Sequence, residues 1–220
     1  MREKFLAETK LFEGVDPESI KAMLQCLGAA SRTYKKDEYV YMAGDLASAM
    51  GLILKGAVNV EHDDIWGKKT ILNHVTEGEI FAEAYACIPG EAMMISVITT
   101  EDTEILWMDV NKVLKTCSLS CEHHNRLIQN LLLVLARKNL YLSRRILHTS
   151  SKSIRERLLS YLSFQAKVQE SREIVIPFNR QQLADYLGLN RSALSNEISK
   201  MQKDGIISVK KNRFILHNEE

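Results

Sequence analysis

FNRQQLADYLGLNRSALSNEISKMQKDGIISVKKNRFIL, residues 178–216, is the stretch that decides the fold of the C-terminal part of the chain. Apolar side chains recur at helical spacing on both sides of Gly188. Asn179 has the side chain of a helix N-cap, and Gly188 suits a tight turn that requires a positive φ. The segment therefore predicts two helices joined by a short turn, the first beginning after Asn179 and the second covering residues 191–203.

The second predicted helix has one apolar and one polar face. Asn190 is placed to cap it, and Leu194, Ile198 and Met201 share the face that we expect to be buried. The opposite face carries Arg191, Ser192, Ser195, Asn196 and Lys200. Arginine can form two hydrogen bonds with guanine, asparagine two with adenine, and serine adapts to a base or a phosphate. The segment is therefore predicted to be a helix-turn-helix whose second helix enters the major groove of duplex DNA.

Two short strand-forming runs, IISV and RFIL, follow Asp204-Gly205 and are joined by KKN, residues 210–212. We expect the basic side chains at this tip to contact phosphates, which position a protein on DNA without reading its sequence. The predicted DNA-contacting residues are Arg180, Gln181, Arg191, Ser192, Ser195, Asn196, Lys200, Lys211 and Arg213.

Charge is divided unequally between the two halves of the chain. Residues 1–110 carry 10 basic and 19 acidic side chains, a net charge of −9, whereas residues 111–220 carry 19 and 9, a net charge of +10. A basic half joined to an acidic half indicates that only the basic, C-terminal half binds nucleic acid. The alternative is a chance distribution of charges over solvated faces.

The N-terminal sequence MREKFLAETKLFEGV has a charge in every apolar run, so it predicts no signal peptide, and no later run reaches membrane-spanning length. The four cysteines are scattered through a chain that is long enough to fold without disulfides, which is typical of a reducing compartment. We therefore expect a cytoplasmic protein with no membrane partner.

Residues 34–109 predict a β domain. Short apolar runs alternate with glycines at turn-like spacing from Gly44 to Gly90, which indicates an antiparallel barrel or jelly roll. Before it, DPESIKAMLQCL, residues 16–27, predicts a short helix with Asp16 as its N-cap and Pro17 at its first position.

From about residue 120 to residue 148 the apolar spacing becomes helical. Such a helix, roughly 42 Å long at 1.5 Å per residue, needs a partner along its apolar stripe. We expect a second copy of the chain, related by a two-fold axis; the alternative is a helix packed only on its own β domain. The fold class is therefore α+β: a β-roll domain at 1–119, a dimerisation helix at 120–148 and a winged helix-turn-helix domain at 149–220.

The whole chain resembles the Crp/Fnr family of bacterial regulators. The resemblance rests on this order of parts and on three strings: GxVxV at 56–60, GEIFAEA at 78–84 and TEDTEIL at 100–106. It implies a cyclic-nucleotide-binding-like roll, a homodimer on a pseudo-palindromic operator, RNA polymerase as a partner and a small-molecule effector in the roll. It also places Arg191, Ser192 and Asn196 at base-reading positions. Relatives often have Arg where this chain has Asn196, a change that favours adenine over guanine.

The resemblance also bears on the effector. Members that bind cyclic nucleotides hold the sugar with the Glu of a Phe-Gly-Glu string, here Phe81-Ala82-Glu83, and clamp the phosphate with an Arg followed by Ser or Thr, here Met93-Met94. A buried phosphate requires the cation that is missing here. Ala82 also crowds backbone that should approach the ligand closely. We therefore expect no cyclic AMP binding of the usual kind.

The candidate effector pocket consists of Ala82, Glu83, Met93, Met94 and the long-helix residue Asn139. Its two methionines suggest an apolar lining that could accept a less charged ligand. Alternatively, these side chains fill the core of the roll and no ligand binds there; the sequence favours neither of the two arrangements.

The cysteines are candidates for a sensor site. Iron-sulfur members of the family need closely spaced N-terminal cysteines, and only Cys26 lies there, so no cluster is expected. Cys117 and Cys121, with His123 and His124 nearby, could form a redox or metal switch. Buried cysteines packed against the roll are the commoner arrangement, and no metal site is predicted.

Two other classes of function compete with a DNA-binding regulator. The chain could instead be a ligand-binding or protein-interaction module whose winged domain does not contact DNA. An enzyme is not expected, because the sequence has no Ser-His-Asp order, no GxxxxGK[ST], no HExxH and no convincing pair of carboxylates.

Overall fold

The computed structural model describes residues 2–66, 69–115 and 122–217. It divides into two compact units, residues 1–136 and residues 137–220, which we describe separately.

The helices are α1 (Arg2–Glu8), α2 (Pro17–Cys26), α3 (Glu83–Ala86), α4 (Val110–Leu114), α5 (Glu122–Thr149), α6 (Ile154–Val168), α7 (Arg180–Leu187) and α8 (Arg191–Lys203). The strands are β1 (Ala30–Tyr34), β2 (Tyr39–Tyr41), β3 (Ala49–Lys55), β4 (Val58–Asp63), β5 (Lys69–Val75), β6 (Ile80–Phe81), β7 (Ser96–Thr99), β8 (Thr103–Asp109), β9 (Glu173–Val175), β10 (Ile207–Lys210) and β11 (Arg213–Leu216). The predicted α+β class, with an N-terminal antiparallel roll, a long helix and a C-terminal winged helix-turn-helix, is confirmed.

The roll of the first unit consists of two antiparallel sheets with strand orders β1-β8-β3-β6 and β2-β7-β4-β5. Apolar side chains of the strands fill its core, among them Leu52, Ile105 and Val97, which are fully buried. The short apolar runs between glycines, which predicted the β domain, form these strands.

Helix α2 begins as its sequence predicts. The Asp16 carboxylate accepts hydrogen bonds from the backbone N–H of Ser19 at 2.9 Å and of Glu18 at 3.1 Å, and Pro17 occupies the first helical position. These bonds satisfy backbone donors that have no partner inside the helix.

Helix α5 extends over 28 residues and contributes to both units. Its first turns pack into the roll core through Leu127 and Leu131, and the Asn130 side-chain amide donates to the carbonyls of Leu11 at 3.0 Å and Glu13 at 2.8 Å. In the described part of the chain, every helix is too short or too polar to cross a lipid bilayer.

The second unit has its own core beneath α6, α7 and α8. Leu162, Leu183, Leu194 and Phe214 are fully buried there. Strands β10 and β11 form the predicted wing, but β9 adds a third strand to its sheet, in the order β10-β11-β9. The sequence analysis missed β9, since a three-residue strand carries almost no periodic signal.

The packing around Gly51 yields a stability prediction. Gly51 lies on β3 opposite Phe81 of β6, and a Cβ at this position would overlap the Phe81 ring. Gly51→Ala is expected to lower the free energy of unfolding by about 1–3 kcal/mol, because overpacking forces side chains from their preferred rotamers. Urea denaturation measures this loss. In a Phe81→Leu background the same substitution should cost less; an unchanged midpoint for Gly51→Ala alone would show that the contact is loose.

Candidate nucleic-acid interface

Helix α7 has defined ends. The Asn179 carboxamide oxygen accepts from the backbone N–H of Gln182 at 2.9 Å, and the Gln182 side-chain oxygen accepts from the N–H of Asn179 at 2.8 Å. This reciprocal pair is a capping box. Gly188 follows the helix with a φ of 63°, a backbone conformation that favours glycine. The predicted cap and turn are therefore confirmed.

Helix α8 turns its apolar side inward and its polar side outward. The Asn190 carboxamide oxygen caps it by accepting from the N–H of Ser192 at 2.9 Å, and it also accepts from the Ser192 hydroxyl. Leu194, Ile198 and Met201 are buried as predicted. Of the predicted DNA-contacting residues on this helix, Arg191, Ser192, Asn196 and Lys200 are exposed and Ser195 is half-buried. The helix thus presents a continuous polar face.

The wing and the start of α7 carry the remaining predicted contacts. Lys211 is exposed in the β10–β11 turn with a φ of 57°. Arg213 is exposed and forms an ion pair with Glu173 at 2.7 Å. Gln181 donates to the Asp185 carboxylate at 2.9 Å. Because Arg213 and Gln181 each have further N–H donors, neither bond has to break before the side chain contacts an anion.

Arg180, like Ser195, is half-buried, whereas the remaining predicted contacts are exposed. Its guanidinium lies 5.6 Å from the centroid of the Phe214 ring, and burial lowers its pKa. An open groove of about 580 Å³ lies beside it, between the start of α7 and the wing turn. The groove is lined by Pro177, Phe178, Asn179, Arg180, Gln182, Lys211 and Asn212. Two cations and several amides suit an anion of the size of a backbone phosphate.

Two arginines donate hydrogen bonds to the C-terminal end of α7. The sequence analysis did not identify either of them as a functional residue. Arg145, in the last turns of α5, donates to the carbonyls of Tyr186 and Asp185, both at 3.0 Å. Arg157 of α6 donates to the carbonyl of Leu187 at 3.3 Å. The Asp185 carbonyl also accepts from the backbone N–H of Gly188 at 3.2 Å. The two arginines provide further donors to the carbonyls at the end of α7 and so fix this helix to both neighbouring helices.

His148 lies in the last turn of α5, within an aromatic cluster that is defined as Tyr161, Phe164 and Tyr186. The histidine is 1% exposed, and its Nδ1 lies 3.0 Å from the Ser160 hydroxyl oxygen. Burial lowers the pKa of His148, and the nearby Arg144 lowers it further. The packing around His148 therefore favours the neutral form of its imidazole.

The candidate effector residues are distributed over both units. Ala82 has a φ of 60°, a left-handed conformation that is strained for a residue with a Cβ. Glu83 and Met93 are buried in the roll, whereas Met94 is 69% exposed. Because Met94 is exposed, the two methionines do not form an apolar lining together. Asn139 lies in the second unit and is exposed there.

The proposed thiol switch involves Cys117 and Cys121, which lie outside the described residues. The two neighbouring histidines have partners in the first unit: His123 Nε2 lies 3.1 Å from the Ser19 hydroxyl oxygen, and His124 Nε2 lies 2.7 Å from the Val113 carbonyl oxygen. Within ranges 2–66, 69–115 and 122–217, no three side chains of metal-ligating type come together.

The fold and the polar face of α8 define a class of protein, a DNA-binding domain joined to a nucleotide-binding type of roll. A model of the cyclic nucleotide-binding domain matches residues 31–119, and a model of the Crp-like helix-turn-helix domain matches residues 156–220. The chain belongs to the Crp/Fnr family. Members of this family are transcription regulators and not enzymes.

Particular relatives span almost the whole chain. The cyclic AMP receptor protein of Thermus thermophilus is 24% identical over 208 residues, which cover 90% of this chain and 87% of that protein. The c-di-GMP responsive regulator CLP of Xanthomonas campestris is 20% identical, with a TM-score of 0.59 over 93% of this chain and 100% of that one. CprK in complex with OCPA is 17% identical, with a TM-score of 0.62 over 91% and 92%. These structural likenesses establish the fold.

The buried His148 predicts a pH dependence. Because its folded-state pKa is depressed, the unfolded chain binds the proton more tightly, so the stabilisation is complete above about pH 6.5 and is lost as the pH falls below that value. His148→Phe is expected to flatten the decline of unfolding free energy between about pH 7 and 5, as measured by urea denaturation. Equal slopes for His148→Phe and wild type would contradict this account.

Proposed function

We propose that this protein is a homodimeric, sequence-specific transcription regulator that responds to an effector other than cyclic AMP. The observation that carries the proposal is the face of α8 that places Arg191, Ser192 and Asn196 in solvent while the apolar face is buried. In this proposal residues 1–119 are the sensor, 120–148 the dimerisation helix and 149–220 the DNA-binding domain. The protein acts in the cytoplasm, on the chromosome and with RNA polymerase.

Helix α5 supports the dimer. Its stripe at spacings of four and three is Ile128, Leu132, Leu135, Asn139, Leu142 and Ile146. Leu132 is 66% exposed and Ile146 is 68% exposed. Side chains of this kind in a heptad pattern pair helices, and a single polar residue such as Asn139 fixes their register. A second copy of the chain would cover the stripe and place two α8 helices about a two-fold axis.

The division of labour on DNA follows from the types of side chain. Arg191, Ser192, Ser195 and Asn196 contact base edges in the major groove. The cations and amides around them contact phosphates and fix the orientation of the protein. These positioning residues are Arg180, Gln181, Lys200, Lys211 and Arg213.

The effector is proposed to differ from that of the Thermus relative, whose name records cyclic AMP as its ligand. Met93 is buried at the position where a cation would have to neutralise the cyclic phosphate. Ala82 places a methyl group on backbone in the left-handed conformation, next to the buried Glu83. A less charged ligand fits these residues better than a cyclic phosphate does.

Removal of the arginine at the start of α8 tests base reading. Arg191→Ala is expected to weaken operator binding by about 1–3 kcal/mol and to relax specificity at one base pair in each half-site. A gel shift on DNA selected by the wild-type protein measures the affinity, and repeated selection with the variant measures the specificity. Arg137→Ala removes an exposed arginine from α5 and should leave both unchanged. If Arg191→Ala retained the wild-type base preference, the assignment of Arg191 would be incorrect.

A titration tests the effector proposal. In isothermal calorimetry, cyclic AMP is expected to give no saturable heat with this protein, because the buried Met93 stands where a cation would have to neutralise the cyclic phosphate. The Thermus relative serves as the positive control. Saturable binding at micromolar cyclic AMP would overturn the prediction.

A further inference from the structure

Arg155 connects helix α6 to two carboxylates of helix α8. Its Nε donates to a carboxylate oxygen of Glu197 at 2.7 Å, and its Nη2 donates to a carboxylate oxygen of Asp204 at 2.6 Å. We call these three residues the Arg155 bridge. None of them was singled out by the sequence analysis, because the arginine and its partners lie 42 and 49 residues apart.

The geometry of the Arg155 bridge constrains α8 in two ways. Glu197 lies in the middle of α8 and Asp204 is its C-cap, about two helical turns further on. Two contacts at different heights on one helix oppose both its rotation about its axis and its sliding along α6. Because the guanidinium is planar and its donors are fixed in direction, a lysine could not reproduce both contacts.

The charges of the Arg155 bridge also affect how strongly the surface of α8 attracts or repels DNA phosphates. Glu197 directly follows the exposed Asn196, and its side chain is only 16% exposed. A carboxylate beside a base-reading residue repels DNA unless a cation neutralises it. Arg155 provides this cation from behind the helix, so that neither Arg191 nor Lys200 is needed for it.

We propose that Arg155 is a positioning residue for base recognition, which sets the rotation and axial position of α8 and neutralises Glu197 and Asp204. This inference rests on the proposed DNA-binding function. The pair with Asp204 is largely exposed and contributes little to stability, whereas the pair with Glu197 is partly buried, so that Arg155→Ala also costs some stability. Arg155→Lys keeps the charge and therefore separates the fit of α8 to its operator from the folding of the domain.

The test compares operator DNA with unrelated DNA. The probes are a duplex that the wild-type protein selects from random DNA and a scrambled duplex of equal composition. Arg155→Ala is expected to weaken binding to the selected duplex by about tenfold and to affect the scrambled duplex by less than about threefold. Arg155→Lys, which keeps the charge and should fold, is expected to show most of the same loss. Lys152→Ala removes an exposed cation three residues away and controls for net charge.

A double-mutant cycle gives the second readout. Glu197→Gln and Asp204→Asn should each change affinity for the selected duplex in the wild-type background and change it much less when Arg155 is already Ala. Hydrogen exchange of α8 amides in the DNA-free protein should quicken with Arg155→Ala. Additive effects, or losses for Arg155→Ala and Arg155→Lys no larger than that of Lys152→Ala, would overturn the inference while wild-type binding still upheld the proposed function. Failure of the wild-type protein to select any duplex would overturn both.

Discussion

The burial of one face of α8 is the constraint on which the DNA-binding unit depends. Leu194, Ile198 and Met201 are buried against the core of that unit. Burying an apolar side chain of this size contributes about 1.5–3 kcal/mol, whereas an exposed ion pair contributes at most about 1 kcal/mol. The apolar residues therefore determine which side of α8 faces inward. The polar side is exposed as a consequence, and the contacts of α7 and the Arg155 bridge refine its orientation.

Within the same unit, side chains in the last turns of α5 contact helices α6 and α7. Arg145 binds the last carbonyls of α7, and His148 lies in the aromatic cluster between α6 and α7. Both residues belong to α5, which also carries the exposed apolar stripe. In the proposed dimer, a change in the pairing of two α5 helices would therefore act on the helix-turn-helix through groups that contact it directly.

Local signals in the sequence predicted the ends of helices accurately. Asp16, Asn179, Gly188 and Asn190 each act on residues of their own or the adjoining helical turn, so their roles could be inferred from spacing alone. The polar face of α8 was predictable for the same reason, since helical periodicity assigns each residue to a side.

Contacts between distant residues could not be inferred in this way. Arg145, Arg155 and Arg157 look like ordinary solvated charges in the sequence, and only the folded chain brings each to its partners. The short strand β9 was missed because three residues are too few for a periodic pattern. The pocket residues show the same limit: Met93 and Met94 are adjacent in sequence, but one is buried and the other exposed.

The central claim is that two copies of α8 read DNA about a two-fold axis. Selection of the full-length protein on random duplexes, followed by sequencing of the bound fraction, tests it most directly. The account predicts an inverted repeat whose half-site centres lie about 10 base pairs apart, roughly one turn of the duplex. Recovery of a single unrepeated site, or no enrichment over the starting pool, would contradict it.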